Sequence, residues 1–232
     1  MQPLRDSTGI SSPFLQKSAP GKMHQRILVL LLILVAFPVH ADAPRYMPGI
    51  QYQLVQPPQP VSSAPDQIEV VEFLWYGCET CFLIQDGIAR WLASQGGKVK
   101  YVRLPAVTDA GMVLLARAFY AADALGVHEQ IDGPLFTAIH RYQRRLDSES
   151  SVVEFFSEHG VPRDRARDAM HSGTTAAKVR HAQLMARRYG IRGAPTLIVA
   201  GKYRVDPSMV HGVDEMIDVV DFLVQSERTG SH

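Results

Sequence analysis

The order of apolar and polar residues between positions 67 and 104 predicts a strand, a helix and a second strand. The sequence Q-I-E-V-V-E-F-L at 67–74 is rich in β-branched and apolar residues, and K-V-K-Y-V-R-L at 98–104 alternates strictly. Both patterns are typical of β-strands. Between them, apolar side chains recur at helical spacing from Cys78 to the glycine pair at 96–97. A strand, a helix and a strand at this spacing predict a βαβ unit with parallel strands.

The long middle part of the chain, residues 108–189, shows only helical patterns. Glycines, prolines and hydroxyl residues mark the ends of five predicted helices. These cover residues 112–125, about 127–145 with Pro134 near the first turns, 148–159, a short segment starting near Pro162, and 174–189. We therefore predict that this part forms a block of packed helices.

Strand signals return after the helical block. Thr196–Val199 and Tyr203–Val205 predict a hairpin with Gly201 in its turn, and Val213–Val224 predicts a closing amphipathic helix. A short strand is also predicted within Gly49–Val55. Together the elements predict one α/β domain with a helical insertion, divided as 66–107 (first part), 108–189 (insertion) and 190–228 (second part).

The N-terminal region predicts export from the cytoplasm. An apolar run, Ile27–Phe37, follows Arg26, and Ala41 ends an A-x-A-like cleavage site. This pattern is typical of a cleaved signal peptide, at about residues 23–41. The alternative is a membrane anchor, but the run is much shorter than the roughly 20 residues that span a bilayer. Translation is expected to start at Met23 after a polar leader, 1–22, and residues 42–65 form a proline-rich arm.

Composition and charge argue against several classes of protein. The chain has 232 residues, of which 46% are hydrophobic, so it can bury a sizeable core. Its formal net charge of +1 argues against a nucleic-acid partner. The sequence has neither a Gly-rich phosphate loop nor a G-x-S-x-G motif, which argues against nucleotide chemistry and serine hydrolysis. We expect neither a cofactor nor a metal.

The only two cysteines, Cys78 and Cys81, form a C-x-x-C motif with three interpretations. A zinc site would need two further ligands at matching spacing, and the sequence offers none. A structural disulfide across so short a loop would constrain the unfolded chain little. A redox pair fits better, because Cys78 starts a predicted helix, where backbone N–H groups and the dipole stabilise a thiolate. Cys81, one turn later, would be more buried and would resolve a mixed disulfide.

Two motifs together carry a family resemblance. The sequence E-V-V-E-F-L-W-Y-G-C-x-x-C, followed much later by Y-G-I-R-G-A-P-T-L-I-V-A-G-K-Y-R-V, resembles the DsbA family of periplasmic thiol:disulfide oxidoreductases over roughly residues 48–225. The resemblance implies a thioredoxin fold with an inserted helical domain. It implies a periplasmic enzyme that introduces disulfides into reduced or unfolded exported proteins. Its re-oxidation would need a DsbB-like, quinone-linked membrane protein, and we expect a monomer.

The same resemblance implies roles for further residues. Ala194-Pro195-Thr196 matches a cis-proline loop that packs against the cysteine pair and offers backbone to a substrate strand. Pro195 alone would equally suit an ordinary strand start. Glu72, six residues before Cys78, matches a glutamate that relays protons near the buried cysteine. A carboxyl on a central strand is buried and favours its neutral form; alternatively, this side chain reaches solvent at a strand edge.

The two residues between the cysteines depart from the family pattern, which usually has Pro-His there. Thr80 replaces the histidine that helps to hold the thiolate, and Glu79 adds a negative charge. At about 5 Å and an effective dielectric constant of about 40, that charge would raise the pKa of Cys78 by about one unit. The potential would fall by about 30–40 mV. We therefore predict a redox pair that is less oxidising than a Pro-His enzyme.

Two other functions stay open from the sequence. The first is a periplasmic disulfide reductase or isomerase on the same fold, which the acid in C-E-T-C suggests. The second is a chaperone or substrate-binding module whose disulfide is structural. Both would keep the two cysteines, so the motif by itself does not separate them from an oxidase.

Overall fold

The computed structural model describes residues 45–230. The predicted leader (1–22) and signal peptide (about 23–41) lie outside the described residues, as does the start of the proline-rich arm at 42–44. Among the helices of residues 45–230, none has the length and apolar character that crossing a bilayer would require.

The centre of the fold is a five-stranded mixed sheet in the order β1-β5-β4-β2-β3. The strands are β1 (Gln53–Leu54), β2 (Ile68–Leu74), β3 (Val99–Pro105), β4 (Thr196–Val199) and β5 (Tyr203–Val205). β2 and β3 run parallel, which confirms the predicted βαβ unit. β4 and β5 form the predicted hairpin. Its turn needs glycine at position 201, where φ is 66° and a Cβ would lie 2.2 Å from Gln59 O.

Seven α-helices of the described residues surround this sheet. They are α1 (Glu79–Ser94), α2 (Val113–Leu125), α3 (His128–His140), α4 (Glu149–Glu158), α5 (Arg163–His171), α6 (Gly173–Arg188) and α7 (Val213–Thr229). Two short 3₁₀ turns, Ala110–Met112 and Pro207–Met209, precede α2 and α7. Helices α2 to α6 follow β3 and precede β4, so the predicted helical insertion into an α/β domain is confirmed.

Helix α3 is shorter than the sequence predicts. It ends at His140 rather than near residue 145, because Gln143 adopts a positive φ of 52° and Arg144 N–H returns to Ala138 O at 2.9 Å. Pro134 lies inside α3, in its second turn, as the sequence predicts. Proline has no N–H, so the helix lacks one backbone hydrogen bond at that point.

Helix α7 is longer than the sequence predicts. The expected end was Val224, and the helix continues to Thr229. Gly230 then adopts a φ of 64° and caps the helix in the left-handed conformation. Helical periodicity therefore underestimated the length of α7, which ends at the next glycine, Gly230.

Strand β2 is buried on both faces, and this determines where the site lies. One face packs against α1 and α7, and the other packs against α6. Beyond the end of β2, Tyr76 and Cys81 belong to the core of the helical block. The cysteine pair therefore lies where the sheet meets the inserted helices.

Candidate active site

Cys78 is the N-cap residue of α1. Its backbone is extended, with φ −94° and ψ 115°, and its Sγ accepts a hydrogen bond from Cys81 N–H at 3.0 Å. The loop before it is tight, because a Cβ at Gly77 would lie 2.5 Å from the ring of Trp75. Only glycine lets the chain turn from β2 into α1 with this indole in place. The sulfur therefore points at the unpaired N–H groups of the first helical turn, where an anion is stabilised.

The two thiols differ in burial and in acidity. Cys78 is half-buried, whereas Cys81 is fully buried; both are free thiols. Hydrogen bonding from the Cys81 side chain lowers the pKa of Cys78, burial opposes this, and the N–H groups of Cys81 and Thr80 lower it further. Burial raises the pKa of Cys81, and the neighbouring Cys78 raises it again. The thiolate therefore forms on Cys78, while Cys81 holds its proton.

The loop before β4 contacts the exposed sulfur. The Ala194–Pro195 peptide bond is cis, and Ala194 O accepts a hydrogen bond from Cys78 Sγ at 3.2 Å. Thr196 is buried at the start of β4 and donates its hydroxyl to Gly193 O at 2.8 Å. Residues far apart in sequence are thus brought to one side of Cys78. The substrate-binding roles of Ala194 and Thr196 stay predictions.

Glu72 is fully buried near the middle of β2, so the alternative of a side chain reaching solvent is wrong. Its Oε2 accepts hydrogen bonds from Arg103 Nε at 2.9 Å and from Tyr101 OH at 2.8 Å. Its Oε1 accepts one from Gln85 Nε2 at 3.1 Å, and the same amide nitrogen donates to Cys81 O at 2.8 Å. The buried carboxylate is therefore balanced by a guanidinium and joined to Cys81 through one side chain.

Arg103 also binds a second carboxylate. Its Nη1 lies 2.6 Å from Asp132 Oδ2 on α3, and Asp132 Oδ1 accepts a hydrogen bond from Tyr76 OH at 2.7 Å. The sequence analysis missed Tyr101, Arg103 and Asp132. A signal existed for Arg103, since parallel pairing of β2 and β3 places it beside Glu72. No local pattern distinguishes Asp132 from other polar residues of its helix.

The two residues between the cysteines lie in the first turn of α1. Glu79 is exposed and Thr80 is half-buried. An acid in the first helical turn is favoured by the dipole, which explains why this residue is tolerated there. The acid whose charge opposes the Cys78 thiolate most is Glu72. Redox tuning by Glu79 and Thr80 stays a prediction. Within residues 45–230 no cluster of three or more His, Cys, Asp or Glu side chains is arranged to hold a metal ion.

Comparison with known proteins places the site in a wider group. Residues 70–224 match the family model described as a DSBA-like thioredoxin domain. The chain is 31% identical over 198 residues to the thiol:disulfide interchange protein DsbA of Burkholderia cepacia, covering 85% of this chain and 93% of that one. It is 30% identical over 210 residues to its Pseudomonas aeruginosa counterpart, covering 90% and 99%. The crystal structure of Pseudomonas aeruginosa DsbA is similar, with a TM-score of 0.73 over 80% of this chain and 96% of that one, at 30% identity. The matched region includes both cysteines, the helical block and the cis-proline loop.

Proposed function

This chain belongs to the family of DSBA-like thioredoxin domains, and from that premise we propose that it introduces disulfides into exported proteins. It is a thiol:disulfide oxidoreductase that works by dithiol–disulfide exchange at Cys78 and Cys81. One observation supports this most strongly: Cys78 Sγ caps α1 at 3.0 Å from Cys81 N–H, beside a buried Cys81. A thiolate is therefore stabilised at Cys78 and disfavoured at Cys81.

The reaction begins from the oxidised pair. A substrate thiolate attacks Cys78 Sγ, a mixed disulfide forms, and the bond between Cys78 and Cys81 breaks. The sulfur of Cys81 leaves with the electron pair and takes up a proton, because burial raises the pKa of Cys81. The substrate is then held on the accessible sulfur, and the resolving sulfur is neutral and enclosed.

The second exchange releases the product. The other substrate thiolate attacks the substrate sulfur of the mixed disulfide, and Cys78 leaves as a thiolate that the helix start stabilises. The substrate has lost two electrons and two protons, and the enzyme is left with the two electrons as a dithiol. Re-oxidation is proposed to pass those electrons to a DsbB-like, quinone-linked membrane protein.

Residues around the pair support these steps. Ala194 and Thr196 flank the cis bond to Pro195, and we assign this loop to pairing with the backbone of a substrate strand. Ala194 O is free to accept from a substrate N–H once the Cys78 thiol proton is gone. Glu72 is assigned to proton exchange near Cys81, to which Gln85 connects it. The redox-tuning assignment of Glu79 and Thr80 completes the proposed site.

The cellular place of the reaction follows from the N-terminal sequence. The apolar run before Ala41 supports export through a cleaved signal peptide of about residues 23–41, and the proposed location is the periplasm. An oxidising compartment is where disulfides form and persist. Neither a reductase or isomerase nor a non-catalytic binding module is favoured by the named relatives, which are thiol:disulfide interchange proteins.

The function is tested with a reduced, unfolded protein that needs a disulfide for activity. Oxidised enzyme should restore that activity at a rate far above glutathione disulfide alone, and Cys78→Ser should abolish the restoration. Cys81→Ser is the matched control, because it keeps the attacked sulfur: glutathione disulfide converts Cys78 to a glutathione mixed disulfide, and a substrate thiolate then displaces glutathione to give an enzyme–substrate mixed disulfide. Rapid insulin reduction without any oxidation of the test protein would instead assign a reductase. Full complementation of an oxidase-deficient strain by Cys78→Ser would refute the enzyme function.

A further inference from the structure

A buried set of polar side chains joins the cysteine pair to the inserted helices. We call it the Arg103 network, formed by Glu72, Tyr76, Tyr101, Arg103 and Asp132. Arg103 lies between the two carboxylates, at 2.9 Å from Glu72 Oε2 and 2.6 Å from Asp132 Oδ2. The side chain of Arg103 is 17% exposed and that of Asp132 16%, so solvent screens this cluster weakly.

The network contacts both sides of the redox centre. On one side, Glu72 is linked through Gln85 to the carbonyl of Cys81. On the other side, Asp132 accepts a hydrogen bond from the hydroxyl of Tyr76, whose backbone lies two residues before Cys78. Both ends of the C-x-x-C turn are therefore held by groups that one guanidinium connects.

The charges of the network affect the pKa values of both cysteines. The hydrogen bond from Cys81 lowers the pKa of Cys78, and the charge of Glu72 opposes this lowering; burial raises the pKa of Cys81, and the charge of Glu72 adds to it. Burial lowers the pKa of Arg103, but Glu72 and Asp132 raise it more, so the guanidinium stays charged. Burial raises the pKa of Tyr76 and of Tyr101, which keeps both phenols neutral. Two carboxylates and one guanidinium leave the network with one net negative charge beside the thiolate.

We propose that Arg103 and Asp132 are positioning residues that set the dithiol–disulfide equilibrium of the Cys78–Cys81 pair, because the charge of Asp132 opposes the Cys78 thiolate and the charge of Arg103 favours it. The inference rests on the proposed redox function of the pair and adds that the inserted helical block takes part in tuning it. Because the reduced form carries the thiolate, removing negative charge favours it, and removing positive charge disfavours it.

Two substitutions should therefore act in opposite directions. Asp132→Asn keeps the shape and an acceptor for Tyr76 OH while removing one negative charge. Arg103→Met keeps much of the stem while removing the positive charge. At about 10 Å and an effective dielectric constant of about 40, one charge changes the equilibrium constant about fourfold. We expect the constant for reduction by glutathione to rise about fourfold in the first variant and to fall about fourfold in the second.

The measurement is made on the full chain, by trapping thiols across a series of glutathione buffers. His128 Nε2 lies 3.8 Å from Asp132 Oδ1, so all variants are compared at one and the same buffered pH. Matched controls are Asp123→Asn and Arg145→Met, which break exposed pairs with Lys178 and Asp147. Neither control should change the equilibrium constant by more than about 1.5-fold.

A purely structural role for the network predicts a different result. It would lower the stability of both variants. Their equilibrium constants would then equal that of the wild type, or both would change in the same direction. Either outcome overturns the inference, while oxidase activity in the wild type would leave the proposed function intact. Arg103→Lys should return the constant to near the wild-type value, because it keeps the charge. If Arg103→Met does not fold, Asp132→Asn decides alone: an unchanged or lowered constant refutes the proposal.

Discussion

The exposed acid between the cysteines gives the sharpest test of how the redox potential is set. In Glu79→Gln the side chain keeps its length and loses its charge. The sequence estimate took an effective dielectric constant of about 40, but the structure places Glu79 in solvent, where screening is stronger. At about 6 Å and a dielectric constant of about 60, the repulsion with the Cys78 thiolate is about 0.9 kcal/mol. That corresponds to about 0.7 of a pKa unit.

The effect of Glu79→Gln on the Cys78 thiolate is measured in two ways. The ultraviolet absorbance of the thiolate follows the pKa of Cys78, and equilibrium with glutathione gives the potential. In Glu79→Gln the pKa should fall by about 0.7 unit, and the potential should rise by about 20 mV. The double variant Glu79→Pro/Thr80→His should be more oxidising still. In about 1 M salt the difference should shrink to less than half, because the Debye length is then about 3 Å.

Asp86→Asn is the matched control, since Asp86 is also an exposed acid of α1. It lies seven residues further on, or about 10 Å along the axis, so its effect should be several-fold smaller. A potential in Glu79→Gln equal to or below that of the wild type would refute the reasoning. An equal rise in Asp86→Asn would show that net charge, and not a local interaction, is responsible.

Three further predictions follow from the geometry of the site and its core. The lowered pKa of Cys78 means that its thiolate is present above that pKa and is lost as the pH falls through it. Alkylation at about pH 7 should therefore modify Cys78 first and spare Cys81, and equal labelling by mass spectrometry would contradict this. Gly77→Ala places a Cβ 2.5 Å from the Trp75 ring, so we expect about 1–3 kcal/mol of destabilisation in urea and slower substrate oxidation; unchanged values would show that the loop relaxes freely. Phe136→Ala removes a 1% exposed ring from the helical core and should cost about 3–5 kcal/mol of unfolding free energy, and a loss below about 1 kcal/mol would mean that the core collapses into the space.

Most of the secondary structure could be predicted because its causes are local. The alternation of apolar and polar residues in 98–104 and the β-branched residues in 67–74 predicted the two parallel strands. Gly201 predicted the hairpin turn. The errors fall where the cause is not periodicity. Helix α3 ends at His140, shortly before Gln143, whose positive φ has no local sequence signal.

The site was predictable to the extent that it depends on neighbours in sequence. The position of Cys78 at a helix start follows from the strand before it and the helix after it. Glu72 was recognised as a buried acid near the pair, but the prediction offered it no partner. Its charged partner is Arg103, which the pairing of β3 with β2 brings beside it, and Arg103 in turn binds Asp132 on a helix of the insertion.

The sequence by itself determined two thiols three residues apart at a helix terminus, which makes one of them a stabilised anion and the other its resolving partner. Only the tertiary structure decided how that pair is tuned. Burial makes the charge of Glu72 felt at both sulfurs, and Arg103 and Asp132 reach it from different elements. Electrostatic interactions depend on distance in space and on exclusion of water, and neither is contained in the local order of residues.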